Sequence, residues 1–157
     1  MISRPGRNSF GSQFPAGGFS LVELLVVTAI VAILLGVALP GYERQMLRVK
    51  RTTALAVLEQ LRARQERFFV HHHRYAETFN ELGFASEVYA IDAEGRAVEP
   101  DSRQRSYRIT LTAATGLGYQ LRAIAQLRQR RDARCQELAV DGRGAREAQP
   151  GAVEECW

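Results

Sequence analysis

Hydrophobic side chains fill nearly every position from Phe19 to Leu39. At about 1.5 Å per residue, a helix of this length is roughly 32 Å long, which matches the hydrocarbon core of a bilayer. After Pro40 the unbroken apolar run gives way to apolar residues at helical spacing. These residues are Leu47, Ala54, Leu58, Leu61 and Phe68, with Leu55 and Phe69 on the same flank.

The two patterns together predict one long helix from about Leu21 to about Val70. Its first part is long enough to span a membrane, and its second part is amphipathic and packs on a globular head. Because proline removes a helical hydrogen bond, we expect Pro40 to be a weak point at which the helix bends or locally unwinds.

The pattern changes again after residue 85, where a polar stretch to Ser106 predicts a loop with a short hairpin. Alternation then predicts strands at residues 107–111 and 119–126, joined by a turn at 116–118, and a third strand at 136–141. A long helix followed by these strands predicts an α+β fold, in which a small antiparallel sheet lies across the helix.

One carboxylate, Glu23, interrupts the apolar run. A charged side chain inside a bilayer costs at least about 2.5 kcal/mol, so an acid at this position is expected to have a partner. The alternative is that Glu23 reaches a lipid head group from near the start of the helix.

The run from Gly18 to Leu25, GFSLVELL, resembles the amino-terminal signature of type IV prepilins and related pseudopilins, and the resemblance continues through Tyr42. It implies that a prepilin peptidase cuts between Gly18 and Phe19 and methylates the new amine of Phe19. That amine is the natural counter-ion for Glu23 of a neighbouring subunit, and this pair would set the register between subunits.

The resemblance divides the chain into four parts. Residues 1–18 are a cytoplasmic leader that is removed, residues 19–39 a transmembrane and polymerisation helix, residues 40–70 its amphipathic continuation, and residues 71–157 a pilin head. The leader carries Arg4 and Arg7 and no acid, so the positive-inside rule places the head across the inner membrane, in the periplasm. After assembly the subunit is expected in an extracellular pilus.

Cys135 and Cys156 are the two cysteines, and both lie in the part that this topology places in an oxidising compartment. Their spacing resembles the disulfide-bounded region of type IV pilins, which implies that they pair. Closing a loop of this size would contribute roughly 3 kcal/mol. Two free thiols or a redox pair are the alternatives.

No motif in the chain predicts catalysis, and the sequence predicts neither a cofactor nor a metal site. His71, His72 and His73 are adjacent, but neighbouring residues on a helix do not share a face. They are interpreted as a solvated helix terminus, where imidazoles complement the helix dipole.

Four arginines follow the second predicted strand, with only Asp132 opposing them in the sequence: Arg128, Arg130, Arg131 and Arg134. Such a cluster is able to bind the phosphates of a nucleic acid. Because no aromatic platform accompanies it, the interpretation favoured by the sequence is a solvated loop that keeps the head soluble or pairs with another subunit. Without the leader, whose two arginines are part of the 21 cations, the chain has 19 cations against 17 acids and is only weakly basic.

The resemblance implies a minor subunit of a type IV pilus that acts in pilus assembly, adhesion or twitching motility. Its expected partners are the prepilin peptidase, major and minor pilins, and the inner-membrane assembly platform. The alternatives are a type II secretion pseudopilin and a competence minor pilin that binds DNA. A simple one-span membrane protein would leave Glu23 and the Gly18–Phe19 junction unexplained.

Overall fold

The computed structural model describes residues 19–114 and 118–157. The leader, with Gly18, and most of the predicted turn at 116–118 lie outside the described residues. The chain divides into two compact units, one up to Leu39 and one from Pro40 to Trp157.

The longest element is helix α1, Leu21–His72, which is assigned without interruption through Pro40. It is the one helix in the described part of the chain that is long and apolar enough to cross a membrane. Up to Leu39 its side chains are exposed. The hydroxyl of Thr28 donates to the carbonyl oxygens of Leu24 and Leu25 (both 2.9 Å), so this polar group is satisfied within the apolar helix.

The second half of α1 packs on the sheet of the head, as predicted. Ala54, Leu58 and Leu61 are buried, whereas Phe69 lies at the edge of the face and remains exposed. Gln65, which the apolar pattern did not single out, is also buried. Its amide donates to the carbonyl oxygen of Ala76 (3.0 Å) and accepts from the Ala76 N–H (2.9 Å), which attaches the connector to the helix.

The head contains a six-stranded antiparallel sheet with the order β2-β1-β3-β4-β5-β6. The strands are β1 (Tyr89–Ile91), β2 (Ala97–Val98), β3 (Tyr107–Ala114), β4 (Gly118–Ala125), β5 (Cys135–Asp141) and β6 (Arg146–Pro150). The predicted strands correspond to β3, β4 and β5, and the predicted short hairpin corresponds to β1 and β2. Strand β6 and the terminal helix α2, Val153–Cys156, were not predicted.

The core lies between this sheet and the second half of α1. Strand β4 buries every second residue, and Tyr107, Ile109, Leu121, Leu138 and Val140 are among the buried side chains. At one end of the sheet the predicted disulfide is present. Cys135 at the start of β5 is bonded to Cys156 in α2, with Cα atoms 5.5 Å apart, and this bond holds the carboxyl terminus on the sheet.

Candidate nucleic-acid interface and assembly segment

The residues predicted to act in assembly lie at the beginning of the apolar half of α1. Phe19 is 75% exposed and precedes the helix, and Glu23 is in its first turn. A carboxylate in the first turn is favourable because the amino-terminal end of a helix carries a partial positive charge. Glu23 forms no ion pair with the residues that the structure describes, and its pairing with the amine of a neighbouring chain stays a prediction.

The three histidines end α1, as the sequence predicts. His71, His72 and His73 are exposed, and the ring of His72 stacks on that of Phe68 with centroids 4.1 Å apart. Within residues 19–114 and 118–157, no group of three or more histidine, cysteine or acidic side chains is arranged to hold a metal ion.

The segment of the four arginines contains a short helix, where a solvated loop was predicted. A 3-10 helix, Leu127–Arg131, connects β4 to the turn before β5. It is held to the head by Gln129, a buried residue whose amide nitrogen donates to the Leu47 carbonyl oxygen of α1 and to the Tyr107 hydroxyl oxygen (both 3.0 Å). Burial raises the pKa of Tyr107 above its usual value, so this hydroxyl stays uncharged.

The acidic partners of this segment differ from those expected. Asp132 does not oppose the arginine cluster but pairs with Arg51 of α1 at 3.0 Å, which is a second link between the segment and the helix. Arg134 pairs with Glu155 of α2 at 2.8 Å, and Arg131 lies 3.8 Å from Glu43. Glu43 and Glu155 are distant from the segment in sequence, so the local charge pattern did not reveal them as partners.

Arg128 and Arg130 differ from the other two arginines of the cluster. Both are exposed, and neither forms an ion pair with a carboxylate in the described part of the chain. An exposed guanidinium with no carboxylate partner is available to bind an anion from outside the molecule.

Two clefts adjoin the segment, one at each end of the 3-10 helix. The loop-side cleft has a volume of about 460 Å³ and lies between the start of the 3-10 helix, the β1–β2 turn and the loop before β3. Its charged lining residues are Lys50, Asp92, Glu94, Arg96, Arg103, Arg105 and Arg128.

Within the loop-side cleft, Arg96 pairs with both acids, Asp92 at 2.8 Å and Glu94 at 3.1 Å. Burial of the Asp92 carboxyl raises its pKa, but hydrogen bonds from the Arg96 and Glu94 backbones and from the Arg96 guanidinium outweigh that effect and leave the pKa below its usual value. Asp92 is therefore paired with Arg96, whereas Arg103 and Arg128 of the same cleft are exposed.

The helix-side cleft, also of about 460 Å³, lies between the end of the 3-10 helix and α1. Arg131 and Arg134 line it together with three arginines of α1, and Asp132 and Glu155 are its acids. The sequence contained a signal for the helical part of this cleft. Arg44, Arg48 and Arg51 are four and three residues apart, so they share one face of α1.

Comparison with known proteins shows the family of this chain. Residues 40–139, which include the second half of α1 and the head as far as strand β5, match the family described as "Type IV minor pilin ComP, DNA uptake sequence receptor". The chain belongs to the type IV pilins. Residues 15–39 of this type IV pilin also match the prokaryotic N-terminal methylation motif, which covers the predicted processing site.

Curated relatives match about half of this pilin. The type IV major pilin protein PilA of Myxococcus xanthus is 40% identical over 70 residues, which are 45% of this chain and 32% of that protein. The type IV major pilin protein PilE1 of Neisseria gonorrhoeae is 35% identical over 82 residues, 52% and 48% of the two chains. The pilin thus spans from about a third to about half the length of the curated relatives it matches.

Among solved structures, a type IV pilin from Shewanella oneidensis is similar with a TM-score of 0.49 and 21% identity, over 71% of this pilin and 97% of that chain. The members of this family are structural subunits. The predicted family, the long apolar helix packed through its second half on a small antiparallel sheet, and the disulfide are all confirmed for this pilin.

Proposed function

We propose that this type IV pilin enters a filament as a minor subunit and that its head binds DNA. The observation that carries the proposal is the pair of arginine-rich clefts, one at each end of a 3-10 helix that itself presents Arg128 and Arg130. The description of the matching family, a DNA uptake sequence receptor, supports the same function.

The route into the filament begins at the amino terminus. The prepilin peptidase cuts between Gly18 and Phe19, the amine of Phe19 is methylated, and the subunit waits in the inner membrane with its head in the periplasm. The assembly platform then inserts it among other pilins, where Glu23 pairs with the amine of a neighbouring chain. The exposed apolar side chains from Phe19 to Leu39 support this route, since they need either lipid or other helices around them.

The head supplies cations from three elements that are separate in sequence. Helix α1, the loop before β3 and the 3-10 helix each contribute arginines to the two clefts. Phosphates follow one another along both strands of a duplex, so affinity grows with the number of cations that reach them. A surface with cations at both ends of the 3-10 helix is therefore better suited to a nucleic acid than to a single small anion.

Solvation or pairing with a neighbouring subunit is the competing function for the same arginines, and the sequence alone favoured it. Arg131 and Arg134 fit it in part, because they already have carboxylates nearby. The α1 arginines, which the sequence pattern had not joined to the cluster, favour DNA over that alternative, because they extend the cationic surface beyond the segment of the four arginines.

The test measures DNA binding by the full mature chain in nanodiscs of uncharged phosphatidylcholine, using fluorescence anisotropy of a labelled duplex. We expect affinity to fall steeply with salt, and the double variant Arg128→Gln/Arg130→Gln to lower the salt slope by up to about two, one for each lost phosphate contact. The matched control is Arg67→Gln/Arg143→Gln, which removes two exposed arginines that do not line either cleft.

The control variant is expected to bind as the wild type does. Equal losses in the two double variants would show that only net charge matters and would contradict a site at the 3-10 helix. No binding by the wild type at low salt would refute DNA binding altogether.

A further inference from the structure

Leu127 is an apolar residue in the middle of a cationic surface. It opens the 3-10 helix, is 45% exposed, and lines the loop-side cleft beside Arg103 and Arg128. Isolated exposed leucines are common on protein surfaces and by themselves indicate nothing. Leu127 differs from an ordinary exposed leucine in its backbone conformation.

The backbone of Leu127 has φ 47°, in the left-handed region. For a residue with a Cβ this conformation costs roughly 1–2 kcal/mol, and such strain is concentrated at functional sites. In the described part of the chain the other non-glycine residue with positive φ is His73, which directly follows α1. Leu127 is thus an exposed apolar residue with a left-handed backbone, and it lines a cationic cleft.

The residues on both sides of Leu127 hold this conformation in place. The N–H of Gln126 donates to the Ser106 carbonyl oxygen (2.8 Å), and the N–H of Gln129 donates to the Gln126 carbonyl oxygen (2.8 Å). Gln129 is buried and bonded to α1. The turn is therefore fixed by its neighbours, and an exposed side chain at its tip is presented on a rigid base.

We infer that Leu127 reads the bases of a bound duplex by contact with thymine methyl groups in the major groove, while the surrounding arginines hold the phosphates. This inference rests on the proposed binding of DNA. Phosphate contacts fix position but carry no sequence information, whereas apolar side chains discriminate thymine through its C5 methyl group. An apolar side chain gains nothing from a phosphate, so the bases are the part of the duplex that its chemistry fits.

The experiment removes the methyl group from the DNA and the apolar side chain from the protein separately and together. Mixed-sequence duplexes are prepared with thymine or with uracil throughout and are titrated against the full mature chain in phosphatidylcholine nanodiscs. Burying one methyl group is worth roughly a fourfold change in affinity. The wild type should therefore bind the thymine duplex at least about fourfold more tightly than the uracil duplex.

Three variants and one control complete the cycle. Leu127→Ala and Leu127→Asn should bind both duplexes equally, and asparagine tolerates the left-handed backbone, so a loss of discrimination in that variant is not a folding defect. Leu127→Met should retain the preference for thymine. Val49→Ala serves as the control because Val49 is also 45% exposed but lines neither cleft, and it should leave the preference unchanged.

The outcomes separate this inference from the proposed function. Salt-dependent binding with equal affinity for the two duplexes would overturn the role of Leu127 and leave DNA binding standing. A thymine preference that persists in Leu127→Ala and Leu127→Asn would also overturn it. If the wild type binds neither duplex, both the proposed function and the inference are wrong.

Discussion

The two halves of helix α1 belong to one continuous element, yet their apolar side chains have opposite environments. In the first half Leu21 and Val37 are 79% and 78% exposed, whereas in the second half Ala54 and Leu58 are fully buried. The sheet of the head covers the apolar face of the second half, whereas the described side chains of the first half are exposed. The apolar side chains of the first half therefore need lipid or the helices of other subunits around them.

Charge divides the helix in the same way. From Phe19 to Leu39 the single charged residue is Glu23, whereas the turns after Pro40 carry Arg44, Arg48, Lys50 and Arg51. A single acid in an apolar segment is stable only when one specific partner is present. A set of cationic side chains on an exposed surface attracts any extended anion. The comparison supports the proposal that the first half acts in filament assembly and that the second half contributes to DNA binding by the head.

The largest effect is expected from Glu23→Ala. If Glu23 pairs with the amine of a neighbouring subunit, breaking that buried pair costs about 3–5 kcal/mol per contact, and the amount of this protein in sheared filaments should fall more than about tenfold. Processing at Gly18 should continue. Mass spectrometry of the membrane and filament fractions measures both quantities.

Glu43→Ala is the matched control for Glu23→Ala, since it removes a glutamate just outside the apolar segment, where the carboxylate is exposed. It should assemble normally. Wild-type amounts of the Glu23→Ala variant in filaments would show that the carboxylate has no role in register.

The next largest effect is expected on stability, when a leucine from each half of the helix is replaced by alanine. Leu58→Ala leaves a cavity at a fully buried position and should lower the free energy of unfolding of the head by about 2–5 kcal/mol. Leu34→Ala, at a side chain that is 63% exposed, should leave it unchanged. Urea unfolding of the full chain in detergent micelles, followed by near-ultraviolet circular dichroism, distinguishes the two. Equal destabilisation would mean that the first half also packs on the head.

Regular periodicity accounts for what the sequence predicted correctly. The unbroken apolar run, the helical spacing of Leu58 and Leu61, and the alternation in β4 each produce a signal within a few residues. Strand β6 produced none, because Arg146–Pro150 is a mostly exposed edge strand in which no apolar face alternates with a polar one. Helix α2 has four residues and is too short to show a period.

The sequence predicted the arginine cluster of the candidate DNA site but not the residues around it. The four arginines are adjacent in sequence, so their cluster was visible. Its setting depends on contacts between distant residues, such as Arg51 with Asp132, which are 81 positions apart, and no local pattern encodes them. The helical spacing of Arg44, Arg48 and Arg51 on α1 is visible in the sequence, but only the fold shows that they line one cleft with Arg131 and Arg134.

A smaller loss of stability is expected when the disulfide is removed. The Cys135–Cys156 bond joins residues 21 positions apart and contributes roughly 3 kcal/mol to the head in the chain-entropy model. Cys135→Ser/Cys156→Ser should lower the unfolding midpoint of the head and leave insertion of the apolar segment into membranes unchanged. A reducing agent should reproduce the effect in the wild type and have none in the variant. An unchanged midpoint in the variant would contradict a stabilising role for the bond.

The smallest effect concerns Glu81, which secures the connector after the buried half of α1. Arg74 donates hydrogen bonds to its carboxylate, and the Glu77 N–H donates another at 2.7 Å. These bonds lower the pKa of Glu81 from 4.5 to about 2, with the Arg74 guanidinium as the largest cause. Because the pKa is lower in the folded state, the stabilisation is complete above pH 4.5 and is lost as the pH falls towards 2.

Glu81→Gln should therefore destabilise the head by up to about 1 kcal/mol at pH 7, since the pair is partly exposed to solvent. The difference between variant and wild type should shrink between pH 4.5 and pH 2, where the wild-type carboxyl becomes protonated. Glu87→Gln, a change at an exposed glutamate later in the connector, is the control and should show no such convergence. A difference that stays constant from pH 7 to pH 2 would mean that the carboxylate charge of Glu81 contributes nothing to the stability of the head.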